Sequence, residues 1–356
     1  MHYLIEEKQL NKSECRHAGV KARFDVSNIL KDNGYTNIEI AFDESGYGRR
    51  KLKKYYDTYR VWKESCEILK KDDLLLIQYP VINHSFLLGI LEKRLWDKGV
   101  KVVILVHDIR SLRMIGPSNY KSLKKSLNKK RQLFEEKMML KYASHIIVHN
   151  NRMKEYLEGI GIRKNVKIEL QIFDYYDMDW DSARSEERNI NKDGPVIIAG
   201  NLKKDKSGFV YNLPDNQLFS LYGINYKGES MGNVIYNGAY DSDELPYKLE
   251  GSFGLVWDGP SSDECLGVYG YYLKYNSPHK TSLYLASEIP VIIWDKSALA
   301  DYILDNNLGF TISSLDEIHD KITKLSEKEY ESMRSSVKKM ASKLRQGYHT
   351  LKAISI

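Results

Sequence analysis

Two short runs constrain this chain most: Leu74–Tyr79 (LLLIQY) and Val102–Val106 (VVILV), both apolar and without charge. Strands with no polar alternation belong to a sheet covered on both faces, and such sheets are parallel and wrapped by helices. Similar runs recur at Tyr3–Glu6, Ile38–Phe42 and Ile146–His149. Between them lie amphipathic patterns at Val20–Asn33, Lys51–Leu69, Ser85–Lys98, Leu123–Tyr142 and Arg152–Ile160. This alternation predicts a doubly wound parallel α/β domain. The polar stretch Asp177–Gly194 has little apolar periodicity and reads as a linker without a core element. Beyond it the alternation restarts, with strands expected at Val196–Ala199, Phe219–Tyr222, Val234–Asn237, Phe253–Trp257, Val291–Trp294 and Phe310–Ile312. Helices are expected at Leu245–Leu249, Lys280–Ser287, Leu299–Asn306 and Leu315–Leu325. The expected layout is a first domain over 1–180 and a second over 195–326. The segment 327–356 is a C-terminal helix that crosses back to the first domain or meets a partner.

A length of 356 residues exceeds what one core ordinarily organises. No apolar run approaches the ~20 residues that span a bilayer. The chain opens directly into a strand with no charged-then-apolar leader, which points to the cytoplasm, with the inner membrane face as a variant. Cys15, Cys66 and Cys265 are scattered, read as free thiols, and have no metal-ligand spacing. The net charge of +6 is concentrated in residues 49–54 and 121–131. Such runs are either solvated helix faces or contacts for a membrane surface or acidic acceptor. No nucleic-acid module accompanies them, so nucleic acid is not expected as a partner. The 26 tyrosines suit a ligand with sugar or base faces, or reflect compositional bias alone.

In open α/β sheets ligands bind beyond the carboxyl ends of the strands. One such end leads into Asn276-Ser277-Pro278-His279-Lys280-Thr281-Ser282, a loop opening a helix. A helix N-terminus carries roughly half a positive charge, so a lysine there is unfavourable unless an anion lies between. Lys280 is thus either a solvated surface lysine or a ligand for a diphosphate. The expected strand ending at Ala199 runs into Gly200-Asn201-Leu202-Lys203-Lys204-Asp205-Lys206, either a turn with solvated lysines or a second half of the same clamp. Tyr247, one turn into another short helix, stacks on a base or fills core. In the first domain, Val106 leads into His107-Asp108, where either side chain could act as general base, or Asp108 caps a helix. Gln78 lies at another strand end, placed to touch an acceptor. Gly19 opens a helix and would let it approach a ligand. There is no P-loop, HExxH, GxSxG or CxxC pair.

Taken together, AGVKARFD (18–25), HDIRSLR (107–113), GNLKKDKSGFVYNLP (200–214), FGLVWDG (253–259) and NSPHKTSLYLASEIPVIIW (276–294) resemble GT-B glycosyltransferases. The likeness is to the bacterial glucosyltransferases that extend GlcNAc on serine-rich repeat adhesins, whose relatives carry the label β-1,6-galactofuranosyltransferase. The resemblance implies two Rossmann-like domains facing across a cleft, and transfer of a hexose, glucose first, from a UDP-sugar to a sugar hydroxyl. It implies no metal and no cofactor. Gly19, Gly200, Asn201, Lys206, Tyr247, His279, Lys280, Thr281 and Ser282 would bind the donor, with Lys280 on the diphosphate. Asp108, with His107, would be the base of an inverting reaction. Glu288 is the nearest carboxylate to Lys280, but its spacing departs from that of retaining enzymes. The acceptor would be a glycan on protein or lipid, with peripheral membrane contact and self-association as further expectations. A UDP-galactofuranose transferase and a non-catalytic partner subunit are the alternatives. Lys280→Ala is expected to abolish UDP binding and leave the melting temperature nearly unchanged.

Overall fold

The computed structural model describes residues 1–9, 18–42, 51–83, 86–113, 123–162, 166–168, 170–230 and 232–355. The chain divides into two compact units, the first comprising 1–15, 26–170 and 355–356, the second 16–25 and 171–354.

The first unit holds six parallel strands: β1 (His2–Gln9), β2 (Thr36–Phe42), β3 (Leu74–Tyr79), β4 (Lys101–Val106), β5 (His145–Val148) and β6 (Val166–Ile168). Their order is β2-β1-β3-β4-β5-β6. β3 and β4 pair in register from Leu74↔Lys101 to Tyr79↔Val106, and Leu75, Leu76 and Val102–Val106 are buried. These are the two uncharged runs, and they lie side by side at the centre of the sheet because both their faces are covered. Helices Lys51–Ser65, Leu88–Asp97, Leu123–Leu140 and Asn151–Gly159 follow the strands. The last is capped by Asn150, whose side chain accepts from the Met153 N–H at 3.1 Å. β6, with three residues, is too short to be seen in the sequence.

The second unit also holds six parallel strands: β7 (Val196–Asn201), β8 (Phe219–Ile224), β9 (Val234–Tyr236), β10 (Gly254–Val256), β11 (Val291–Trp294) and β12 (Gly309–Ile312). Their order is β12-β11-β10-β7-β8-β9. Counted from β7, this is the 3-2-1-4-5-6 arrangement of dinucleotide-binding sheets, with its switch point between β7 and β10. The core is heavily aromatic, with Trp257, Trp294, Phe253, Tyr284 and Tyr330 all buried. Gly254 makes the Tyr284 packing feasible, since a Cβ there would lie 2.1 Å from the Tyr284 ring. The Tyr284 hydroxyl in turn accepts the Ala199 N–H at 2.7 Å.

Asp177–Gly194 is not a linker devoid of core structure. Asp181 caps a short helix, Ser182–Glu186, and Arg188 is buried, donating to Pro246 O at 2.7 Å and Ser185 Oγ at 2.6 Å. Trp180 stacks on Tyr247 at 4.6 Å, with the Arg345 guanidinium 3.4 Å from its centroid. Cation–π contacts and hydrogen bonds hold this segment, and neither leaves an apolar period in the sequence. The terminal helix Glu327–Arg345 opens with a capping box between Ser326 and Glu329. It belongs to the second unit and packs on the helix His279–Ala286. Among the described residues no helix is long and apolar enough to cross a membrane. Cys66 and Cys265 are free and buried, and burial pushes the Cys66 thiol up to about 12; Cys15 lies outside the described residues.

Candidate active site

The switch point of the second sheet is where the sequence motifs converge. β7 ends in Gly200-Asn201, and Gly200 has φ +127°, with nothing within 4 Å of where a Cβ would stand. Backbone and open space therefore meet at this strand end, the condition for close approach of a ligand. The Asn201 side chain accepts the Lys203 N–H at 3.1 Å and the Asn225 amide at 3.0 Å, and so shapes the turn. Lys206 lies in the short helix Lys204–Ser207, and its carbonyl accepts the Gly259 N–H at 2.7 Å. That bond ties the loop after β7 to Trp257-Asp258-Gly259, the residues that leave β10.

Lys280 reaches two of the same three residues. Its Nζ donates to Trp257 O at 2.9 Å and to Asp258 Oδ1 at 2.8 Å, with the two side chains 12% and 8% exposed. It is therefore neither a solvated lysine nor a bare cation, and Asp258 is a partner the sequence reading passed over. Two of the three ammonium donors are used, which fixes the third in direction. Removing Lys280 alone would strand a buried carboxylate, so the expectation of an unchanged melt for Lys280→Ala is corrected.

The other residues of the helix His279–Ala286 divide their work. Ser282 is fully buried and its Oγ donates to Phe173 O at 2.7 Å; Ser277 Oγ donates to Gln171 O at 2.6 Å. His279 lies 3.3 Å from Asp174 O through Nε2 and stacks on Tyr175 at 5.2 Å. Burial, and then the Lys21 charge, push His279 down to about 4, so it is neutral near pH 7 and adds no positive charge for phosphate. The Thr281 hydroxyl is buried with no hydrogen-bond partner among the described residues. What Thr281 and Ser282 offer outward is the backbone at a helix N-terminus, not their side chains. Glu288 stands at the opposite end of the helix, at φ +62°, paired with Arg345 at 3.0 Å. Arg345 also donates to Ala286 O at 2.9 Å, capping the helix. Glu288 is thus a structural partner at the far end from Lys280.

Tyr247 lies in a 3-10 turn, Leu245–Tyr247, that packs against the same helix. Its ring is taken up within the chain, by Trp180 and by the Arg184 guanidinium 4.4 Å from the centroid. From the AGVKAR segment, Gly19 lies in the first turn of the helix Ala18–Asp32. Lys21, two residues on, is buried. It donates to Asp25 at 2.7 Å and Tyr176 O at 3.1 Å, lies 3.5 Å from Asp243, and sits 4.6 Å above the Tyr175 ring. Burial raises Asp25 to about 6 despite that pairing. Sequence reading missed Lys21, although its i,i+4 spacing to Asp25 is the visible sign of an ion pair on a helix.

In the first unit, His107 and Asp108 leave β4. Asp108 is held by Arg113 through two bonds, Nε to Oδ1 and Nη2 to Oδ2, each 3.0 Å. His107 Nε2 is 2.7 Å from Gln78 Oε1, and Gln78 Nε2 donates to Ser27 Oγ at 2.9 Å. With its oxygen facing the ring, Gln78 fixes the Nε2–H tautomer of His107, and its buried amide serves this relay. Among the described residues no three His, Cys, Asp or Glu side chains converge as metal ligands would.

Comparison with known proteins accords with this geometry. Residues 7–172 match the family model described as "Glucosyltransferase 3-like, N-terminal domain", and 196–355 match its C-terminal domain. The chain is 33% identical to Beta-1,6-galactofuranosyltransferase WbbI of Escherichia coli (strain K12), over 93% of this chain and 92% of that one. It is 24% identical to Glucosyltransferase 3 of Streptococcus gordonii, over 94% and 92%. Among solved structures it resembles WaaG, a glycosyltransferase involved in lipopolysaccharide biosynthesis, with TM-score 0.57 and 11% identity over 99% and 98% of the two chains. The fold is therefore GT-B. The chain belongs to the glucosyltransferase 3-like family and is a hexosyltransferase.

Proposed function

We propose that the protein transfers a hexose from a UDP-sugar to a hydroxyl of a glycan acceptor, without a metal ion. The observation that carries this reading is Lys280, its ammonium fixed by Trp257 O and Asp258 at the carboxyl end of β10, beside open Gly200 at the end of β7. Fixed there, the third ammonium N–H and the helix N-terminus would receive diphosphate oxygens, with Lys206 across the same switch point. As the bond from the anomeric carbon to the diphosphate oxygen breaks, negative charge grows on the departing UDP, and these groups stabilise it. The acceptor oxygen attacks from the other side, giving inversion. Its proton passes to Asp108, oriented by Arg113, or to His107.

Two hexoses have support. Glucose follows from the family description, and galactofuranose from the relative with 33% identity against 24%. The acceptor is proposed to be a sugar such as GlcNAc on a protein or lipid carrier. The experiment is a donor screen with UDP-glucose, UDP-galactose, UDP-GlcNAc and UDP-galactofuranose against free and carrier-linked GlcNAc, in EDTA. Turnover with galactofuranose or glucose is expected, and Asp108→Asn should lower kcat by about 10²-fold or more while still binding UDP. Strict metal dependence, or full turnover by that variant, would contradict the mechanism.

A further inference from the structure

Asp108 owes its orientation to one turn of helix. Arg113, which grips both of its oxygens, closes the four-residue helix Arg110–Arg113. A helix that short does not hold itself, and the N–H groups of its first turn have no partners within it. Partners on other helices supply what it lacks. Ser111 is fully buried, and its N–H donates at 2.9 Å to Oε1 of Glu136, on the helix Leu123–Leu140. Its hydroxyl shares a hydrogen bond of 2.5 Å with Tyr156 OH, on the helix Asn151–Gly159. Glu136 is 2% exposed, and its second oxygen, Oε2, has no hydrogen-bond partner among the described residues. A buried carboxylate satisfied on one side only is costly to keep, so packing alone does not account for it. The adjacent Glu135 differs, since it pairs with Arg131 at 3.4 Å. Burial, partly offset by the bonds from Ser111, raises Glu136 above the usual carboxylate range, and the Asp108 charge adds to that rise. The two carboxylates therefore stand close enough for their charges to interact.

Taking Asp108 as the base of the transfer proposed above, we propose that Glu136 is its positioning residue. It holds the helix Arg110–Arg113 through Ser111, so that Arg113 presents the Asp108 carboxylate to the acceptor hydroxyl. Tyr156 is the second fastening of the same helix. Neither side chain touches substrate in this role. Both act on proton removal from the acceptor, and neither contributes to the hold on UDP, which lies with Lys280 in the other unit. A small displacement of a reacting group lowers the rate of the chemical step more than it lowers binding. An acceptor for the Ser111 N–H is what the role needs, and glutamine supplies one without the charge.

The test is steady-state transfer by the full chain in EDTA, from UDP-glucose and from UDP-galactofuranose to free GlcNAc. Glu136→Leu, Glu136→Gln and Tyr156→Phe are compared with wild type and Asp108→Asn. Glu136→Leu is expected to lose about 10- to 100-fold in kcat with the donor KM changed less than about twofold, and Glu136→Gln to recover most of that loss. Tyr156→Phe should lose about threefold or more in kcat at unchanged donor KM, and it decides the matter if Glu136→Leu does not fold. Calorimetric titration of UDP should give wild-type affinity and stoichiometry in each variant, which a mere loss of folded protein would not. Wild-type kcat in Glu136→Leu or in Tyr156→Phe, a loss shared equally by donor binding, or a Glu136→Gln variant no better than Glu136→Leu would overturn the inference. Those outcomes leave Asp108 in place as long as Asp108→Asn has lost turnover. Absence of transfer by wild type, or full turnover by Asp108→Asn, would instead remove the proposed function and this inference with it.

Discussion

At the scale of single residues, the pair Lys280–Asp258 decides most. The position of Lys280 was legible in the sequence because a cation at a helix N-terminus calls for an anion nearby. Its partner was not, because Asp258 lies 22 positions away and only the fold brings β10 to that helix. An ion pair this buried stabilises the fold chiefly by not being broken. Lys280→Met is predicted to destabilise by about 3–5 kcal/mol in urea melts, and adding Asp258→Asn should restore most of that. A single variant as stable as wild type would show that the pair is not buried in solution. The same limit explains Lys21, whose pairing with Asp25 is local and readable, while its place over Tyr175 is not.

At the scale of elements, the eight-residue helix His279–Ala286 is a mounted part. Ser277 and Ser282 bind carbonyls of the segment 171–173, and Arg345 caps the other end. Side chains that read as ligands in a loop-to-helix motif are here its fastenings. Most strands and helices were legible, since apolar periodicity reports burial directly; β6, three residues long, and the helix Ser182–Glu186, five residues long, were not, because neither spans enough positions to show a period. If Ser282 is a fastening, Ser282→Ala removes its hydrogen bond to Phe173 O and should cost about 0.5–1.5 kcal/mol of stability, with UDP affinity changed less than about threefold. A large loss of UDP affinity at full stability would return Ser282 to the ligand.

At the scale of the whole molecule, buried ionisable groups set the response to pH. Burial pushes His149, His279 and His349 from 6.5 down to about 4, so unfolding takes up protons between those values and their stabilising contribution is lost as pH falls through that interval. Asp174 acts in the opposite sense. Burial raises it to about 7 in spite of N–H bonds from His349 at 3.1 Å and Thr350 at 2.7 Å, so its contribution is present at low pH and fades as pH rises toward 7. Asp25, at about 6, adds to it. Asp174→Asn removes one opposing group, and its urea midpoint should fall more steeply than that of wild type when pH drops about two units from neutrality. A shallower fall would contradict the assignment.

The central claim is that the β7/β10 switch point holds a diphosphate through Lys280. Calorimetric titration of UDP in EDTA tests it most directly, comparing wild type, Asp258→Asn and the stability-matched Lys280→Met/Asp258→Asn. Binding by the first two and loss of about 10-fold or more in affinity in the third is the predicted result, as expected for removal of a charge-assisted bond to phosphate. Equal UDP affinity in all three proteins would contradict it.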